Sequence, residues 1–197
     1  RPERVTDVLA RLRQVQAAGR QKVLLDLRDV TDGDVNSAVL LANAFLKSGT
    51  ITTLQGQKFS TQTWTAEPKD FITSAPLIAL VNRGTAGPAE IVAAALKGNN
   101  RAELVGERTF GSGSVQKLMP LPDGAVLFLS VAKYHGPNGE IIQDNAVTPN
   151  VPVAANNGFG LVTPAVTGPV TKPTAPGAAQ PTQPAKPPAA QSDDQLN

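Results

Sequence analysis

The stretch PLIALVNRGTAGPAEIVAAALKGNN, residues 76–100, decides the fold because its hydrophobic pattern changes within a few residues. Its first part is a short apolar run that predicts a buried strand from Leu77 to Val81. The part that starts at Pro88 has helical spacing, and proline suits the first turn of a helix. Between them lies GTAGPAE, residues 84–90, a turn without Ser, Cys, Lys or His. Many enzymes present a catalytic nucleophile on a tight turn between a strand and a helix. This turn has that arrangement but contains no nucleophilic residue of those four types.

Strands and helices alternate along the first hundred residues, and strands dominate after them. Apolar spacing predicts helices over residues 1–19 and 35–46, and strands within residues 22–30, 50–64, 102–107 and 115–142. This order favours an α/β domain with a largely buried sheet over residues 1–160. Residues 161–197 are rich in Pro, Ala, Thr and Gln, a composition that predicts a disordered tail.

Composition excludes several function classes. The net charge is +2 and the basic residues are scattered, so no patch for nucleic acid is visible. The chain has no cysteine, which rules out disulfides, thiolate metal sites and cysteine catalysis. No apolar run approaches the length of a membrane span, so no integral membrane segment is expected.

Three other features carry weak chemical signals. The single histidine, His135, precedes a turn and is interpreted as a surface residue rather than a general base. The segment LDLRDVTDGD has carboxylates at positions 26, 29, 32 and 34 but lacks the rest of a calcium loop, so no metal is expected. The segment GERTFGSG, residues 106–113, has serine where a phosphate loop has lysine, which favours a glycine-rich connection between strands. No cofactor is expected.

Three blocks of the sequence resemble, in order and spacing, the catalytic core of the C-terminal processing (tail-specific) serine peptidases. They are VLLDLRDVTDGDVNSAVLLANAFL, residues 23–46, the stretch from Pro76 to Gly124, and VAKYHGPNGEIIQDNAVTPNVPV, residues 131–153. The resemblance implies a crotonase-like β/α core, which in the family often follows a PDZ domain. No PDZ domain is recognised here, and the first strands of the core are expected to be missing before residue 1.

The resemblance also implies a Ser–Lys dyad, in which the Lys accepts the proton of the attacking Ser. The family turn GTASASE aligns its nucleophile with Gly87, and the family loop GERTFGKGSVQ aligns its Lys with Ser112. The Gln that orients this Lys is retained as Gln116. Two alternatives remain open, namely Ser112 or Ser114 with a new base such as Lys117 or His135, and Thr85 as a displaced nucleophile.

The positions that stabilise the oxyanion in the family are altered too. The residue after the nucleophile donates a backbone N–H there, and it is Pro88 here, which has no N–H. The family's glycine pair, which contributes the second oxyanion donor, aligns with Asp32 and Gly33. An aspartate therefore replaces one of the two glycines. If Asp32 points inward, it would repel the oxyanion.

These substitutions lead to a hypothesis of a pseudoprotease that retains the peptidase core and binds extended peptides or protein C-termini. The alternative is an active serine peptidase with a rearranged site, or with a site completed by residues outside this sequence. A third possibility is a pocket for a small apolar ligand. The resemblance implies polypeptide partners and a periplasmic, cell-envelope or secreted location.

Overall fold

The computed structural model describes residues 2–154 of the 197-residue chain, with side chains from Arg4 onward. The predicted tail, residues 161–197, lies outside the described residues. The described elements are α1 (Pro2–Ala17), β1 (Val23–Asp26), α2 (Val35–Asn43), β2 (Thr50–Gly56), β3 (Phe59–Thr65), a single 3-10 turn (Pro68–Asp70), β4 (Leu77–Val81), α3 (Pro88–Gly98), β5 (Glu103–Gly106), β6 (Ser114–Pro120), β7 (Val126–His135) and β8 (Val151–Pro152). The mixed α/β class is therefore confirmed.

The described strands form two sheets, where sequence patterns suggested one. The first is parallel, with the order β1-β4-β5-β8, and the second is antiparallel, with the order β3-β2-β7-β6. Local patterns did not separate them because strand pairing is set by contacts between distant residues. The outer ends of β6 and β7 are exposed, so the expectation of a largely buried sheet holds only for the inner strands.

The parallel sheet brings three loops to one edge. Strand β1 leads into residues 27–34, β4 into residues 82–87 and β5 into residues 107–113. Since the three strands are parallel, their carboxyl ends lie side by side. Crevices at such edges are where open α/β sheets bind their ligands.

Helix α3 anchors this edge to the hydrophobic core. Every residue from Ala89 to Leu96 is buried, and three consecutive alanines, residues 93–95, let neighbouring elements approach closely. The ring of Phe45 and the side chains of Ile51 and Leu104 complete the packing around it. Each large apolar side chain buried in this way contributes about 1.5–3 kcal/mol, so the start of α3 is held rigidly.

Helix α2 starts at an aspartate cap that makes its stability sensitive to acid. The Asp34 carboxylate accepts the backbone N–H of Ser37 at 2.9 Å, which holds the pKa of Asp34 below its usual 3.8. A depressed folded-state pKa contributes stability above the unfolded value, and that stability is lost as the pH falls through the folded value. We expect Asp34→Ala to cost about 1 kcal/mol near neutral pH. Urea denaturation at pH 7 and below pH 3 checks this, and a cost that persists unchanged in acid would contradict it.

Candidate active site

The turn after β4 is a sharp elbow held by buried hydrogen bonds. The hydroxyl of Thr85 is completely buried, donates to the carbonyl of Leu27 at 2.8 Å and accepts the N–H of Asn82 at 3.1 Å. Gly87 follows with φ 60° and ψ −123°, a conformation that disfavours residues with a Cβ. A Cβ at Gly87 would nevertheless meet only the carbonyl oxygen of Thr31, at 3.8 Å. The backbone of the elbow therefore favours glycine at position 87, although there is space for a Cβ.

The buried carboxylate of Glu90 ties the elbow to the loop after β5. One oxygen accepts the N–H groups of Gly87 and Ser112 at 3.1 and 2.7 Å. The other accepts the N–H of Gly111 at 2.8 Å and the hydroxyl of Thr109. Glu90 is 0% exposed, so its four donors replace the water that a carboxylate otherwise requires. The two loops are thereby held in a fixed relative position.

One cavity of about 320 Å³ brings most of the predicted site residues together. Gly87, Pro88, Ser112 and Gly33 all line it. Its remaining lining residues are Thr31, Asp34, Val35, Ile91, Ser114, Val115 and Tyr134, and burial raises the pKa of the Tyr134 phenol. Gln116 is not among the lining residues. It lies exposed on β6 opposite Ser130, and its orienting role stays a prediction.

The backbone donors on this side of the cavity are absent or engaged. Pro88 has no N–H to offer. The N–H of Gly33 donates to the carboxylate of Asp32 at 2.9 Å. A Cβ at Gly33 would lie 3.6 Å from the Cβ of Pro88, so the two residues are in contact. Asp32 lines a neighbouring cavity of about 460 Å³ rather than the one that holds Gly87. Its contact with the Gly87 cavity is the hydrogen bond that it accepts from the Gly33 amide.

Each carboxylate in the acidic segment, residues 25–34, has a structural partner. Asp26 pairs with Arg28 at 2.6 Å, which lowers the pKa of Asp26, and Asp29 accepts a hydrogen bond from the amide of Asn82. Asp32 and Asp34 bind the backbone as described above. Within residues 2–154, no group of three or more acidic or histidine side chains is arranged to hold a metal ion.

The remaining candidate nucleophiles and bases are spread over the structure. Thr85 is buried and hydrogen-bonded, and it does not line the cavity. His135 lies at the end of β7, with Nδ1 3.2 Å from the carbonyl oxygen of Gly139. Ser114 lines the cavity, but its hydroxyl is 3.2 Å from that of Ser130. Lys117 is exposed on β6, further along the strand.

Residues 2–153 match the sequence profile described as peptidase family S41. The chain belongs to this family. It is 37% identical over 145 residues to a carboxyl-terminal-processing protease of Picosynechococcus, covering 74% of this chain and 35% of the relative. It is 36% identical over 148 residues to the processing protease CtpA of Bacillus subtilis, covering 75% of this chain and 31% of the relative.

Solved structures agree with this membership. The S41 chain superposes on a photosystem II D1 C-terminal processing protease with a TM-score of 0.69 and 30% identity, covering 76% of this chain and 39% of that one. A lipoprotein from Streptococcus agalactiae shares the fold, with a TM-score of 0.60 and 19% identity. The chain thus spans about a third of the length of the curated relatives it matches. In the part that the structure describes, no helix is both long and apolar enough to cross a membrane.

Sequence patterns did not single out Glu90, although its carboxylate joins the elbow to the loop after β5. One signal was present, because a glutamate three residues after a helix N-cap is typical of a capping box. Its carboxylate indeed accepts the N–H of Gly87. The contacts with Thr109, Gly111 and Ser112 cross about twenty residues of sequence, and no local pattern reports them.

Proposed function

We propose that this S41 chain is a pseudoprotease that binds extended polypeptides or protein C-termini without hydrolysing them. The observation that carries the proposal is that Gly87 and Ser112, which align with the family's nucleophile and base, line the same cavity. Neither residue type supplies the chemistry expected at its position. Gly87 has no side chain to attack a carbonyl, and Ser112 is no base for a neighbouring hydroxyl.

The surroundings of the cavity support the absence of catalysis. A developing oxyanion near Gly87 would find no N–H on Pro88, and the N–H of Gly33 already donates to Asp32. The loss of one such donor costs about 3–4 kcal/mol of transition-state stabilisation in enzymes that use it. In this proposal the nucleophile, the base and the oxyanion donors are lost together. Restoring only one of them would therefore recover little peptidase activity.

The same cavity retains features that suit a peptide. Its walls combine the apolar side chains of Val35, Ile91 and Val115 with the hydroxyls of Thr31 and Ser114. Strand β6 begins at the cavity and is the edge strand of its sheet, so its backbone is available to pair with an extended segment. The processing proteases of Picosynechococcus and Bacillus subtilis are bacterial, and a periplasmic or envelope location is part of this proposal.

We expect the purified chain to bind unstructured peptides but to leave them intact. Fluorescence anisotropy with a labelled peptide measures the binding, and mass spectrometry of the same sample detects cleavage. Val115→Glu places a charge in the cavity and should weaken binding at least tenfold. Val153→Glu is the matched control, since Val153 is exposed away from the cavity, and it should bind as the original chain does. Equal binding by the two variants would contradict the assigned surface.

The alternative is an active peptidase with a rearranged site or one completed by residues outside this sequence. The exposed Ser112 and the cavity-lining Ser114 are the observations in its favour. Peptide cleavage that disappears in Ser112→Ala or Ser114→Ala would establish it and overturn the pseudoprotease. Cleavage that survives both substitutions would indicate a contaminating enzyme.

A further inference from the structure

The cavity that holds Gly87 lies between the starts of two helices. Helix α2 begins at Val35 and helix α3 at Pro88, and both residues line the cavity. The start of a helix carries about half a positive elementary charge together with unpaired N–H groups, so such a position attracts anions. Two helix starts beside one cavity would by themselves suit a carboxylate, such as an acidic side chain or the C-terminus of a peptide.

Each of these helix starts, however, already binds a carboxylate of this chain. The two carboxylate oxygens of Asp34 accept the N–H and the hydroxyl of Ser37 at 2.9 and 3.0 Å. At the start of α3, Pro88 has no N–H, and the carboxylate of Glu90 accepts the N–H of Gly87 at 3.1 Å. Two full negative charges outweigh two helix ends of about half a positive charge each, so these helix ends attract no further anion.

Two other backbone donors beside the cavity are engaged in the same way. The N–H of Ser112 donates to the carboxylate of Glu90 at 2.7 Å, and the N–H of Gly33 donates to that of Asp32 at 2.9 Å. A carboxylate that entered the cavity would lose water without gaining these N–H groups in exchange. Burying a charge that is not paired in this way is costly.

The charge on the cavity wall is negative. Among the residues that line the cavity in the described part of the chain, Asp34 is the one with a charged side chain. Its hydrogen bond from the backbone of Ser37 holds the pKa of Asp34 below its usual value, so it is ionised at neutral pH. Lys133, on the neighbouring strand β7, is not a lining residue and pairs with Asp144 at 3.8 Å.

We propose that Asp34 makes this cavity selective for polypeptide segments that present a basic side chain, and that the cavity rejects acidic segments and free C-termini. The inference rests on the proposed function and narrows its ligand. An ionised carboxylate has about four acceptor sites, and the bonds within α2 leave part of that capacity for a ligand. A lysine or arginine side chain can donate to Asp34 and to the hydroxyl oxygens of Thr31 and Ser112, whereas a carboxylate meets a like charge.

Three labelled peptides with both ends blocked test this selectivity by fluorescence anisotropy at low salt. Every second residue is Lys, Gln or Glu and the others are Thr, so an extended peptide presents the variable residue on one face in every register. We expect the Lys peptide to bind the full chain at least tenfold more tightly than the Glu peptide, with the Gln peptide between them. The chain has a net charge of +2, so unspecific attraction would give the opposite order.

Asp34→Asn assigns the selectivity to one carboxylate. Asparagine caps helices as well as aspartate does, so α2 is retained while the charge is lost, and the ratio between the Lys and Glu peptides should fall at least threefold. Asp123→Asn is the matched control. Asp123 is exposed in the turn after β6, accepts the N–H of Ala125 at 3.0 Å and does not line the cavity. It changes the net charge equally and should leave the ratio unchanged.

The outcomes separate this inference from the function on which it rests. Binding of the Glu peptide that equals or exceeds that of the Lys peptide would overturn the selectivity while leaving peptide binding in place. An equal change of the ratio in the two variants would show that Asp34 does not set it. Tighter binding of the Gln peptide after its C-terminus is unblocked would show that the cavity accepts carboxylates. If none of the three peptides binds, the proposed function fails together with this inference.

Discussion

Glu90→Gln is expected to lower the free energy of unfolding by about 3 kcal/mol, a large fraction of a typical domain's stability. The carboxylate of Glu90 accepts hydrogen bonds from three backbone N–H groups and one hydroxyl while completely buried. Glutamine has nearly the same shape, but one oxygen becomes an NH2 group that donates rather than accepts. Donors would then face donors where no water can intervene, and buried polar groups left without partners are costly.

The expected structural result of this substitution is a loosened site. The loop with Gly111 and Ser112 would lose its attachment to the elbow, so its amides should exchange with deuterium much faster. Chemical denaturation measures the stability, and hydrogen exchange measures the loop. Glu103→Gln is the matched control, since Glu103 is exposed on β5 and should change stability by less than about 0.5 kcal/mol. Equal midpoints for the two variants would show that Glu90 does not hold the loop.

The second large effect is expected from rebuilding, in steps, the Ser–Lys chemistry that the proposed pseudoprotease lacks. We expect the pair Gly87→Ser and Ser112→Lys to hydrolyse peptides slowly, and the addition of Pro88→Ala to raise kcat by about 10²–10³-fold. The reason is that alanine restores a backbone N–H beside the new serine. The serine itself should fit, because a Cβ at Gly87 has no atom closer than 3.8 Å. A serine forced to adopt φ 60° and ψ −123° costs on the order of 1–3 kcal/mol of stability.

A further step tests the role of Asp32. In the rebuilt triple variant, Asp32→Gly should raise kcat again by releasing the N–H of Gly33. Pro88→Ala and Asp32→Gly in the original background should remain inactive, because the proposed pseudoprotease has neither nucleophile nor base. Steady-state kinetics on a chromogenic peptide measures each step. A pair variant that is as active as the triple variant would show that the oxyanion is stabilised elsewhere.

Much of the fold could be predicted because it is encoded in local periodicity. The strand Leu77–Val81 and the start of α3 at Pro88 were placed correctly by apolar spacing and by the proline. Helix α2 ends at Asn43, where spacing had extended it to residue 46, since apolar residues can continue past the last helical turn. The predicted glycine-rich connection at residues 106–113 is confirmed as the loop between β5 and β6.

The candidate site was predictable only in part. The order of the three sequence blocks implied that Gly87, Pro88, Ser112 and Gly33 belong together, and they do line one cavity. Gln116 does not line it, because the strand register places that residue opposite Ser130 on the exposed part of the sheet. Sequence also left open which way Asp32 points, since the direction of a side chain in a loop depends on the partner it finds.

The sequence by itself determined the alternation of strands and helices and the membership of a peptidase family, and it led to the prediction that Gly87 and Ser112 replace the family's nucleophile and base. These are properties of residue identity and of short-range spacing. Only the tertiary structure decided that the Asp32 carboxylate occupies the Gly33 amide, that Glu90 joins the elbow to the loop, and that the outer ends of β6 and β7 are exposed. Each of these depends on groups that meet, or fail to meet, only after the chain has folded. Hydrogen bonds and burial are settled by that geometry rather than by order along the chain.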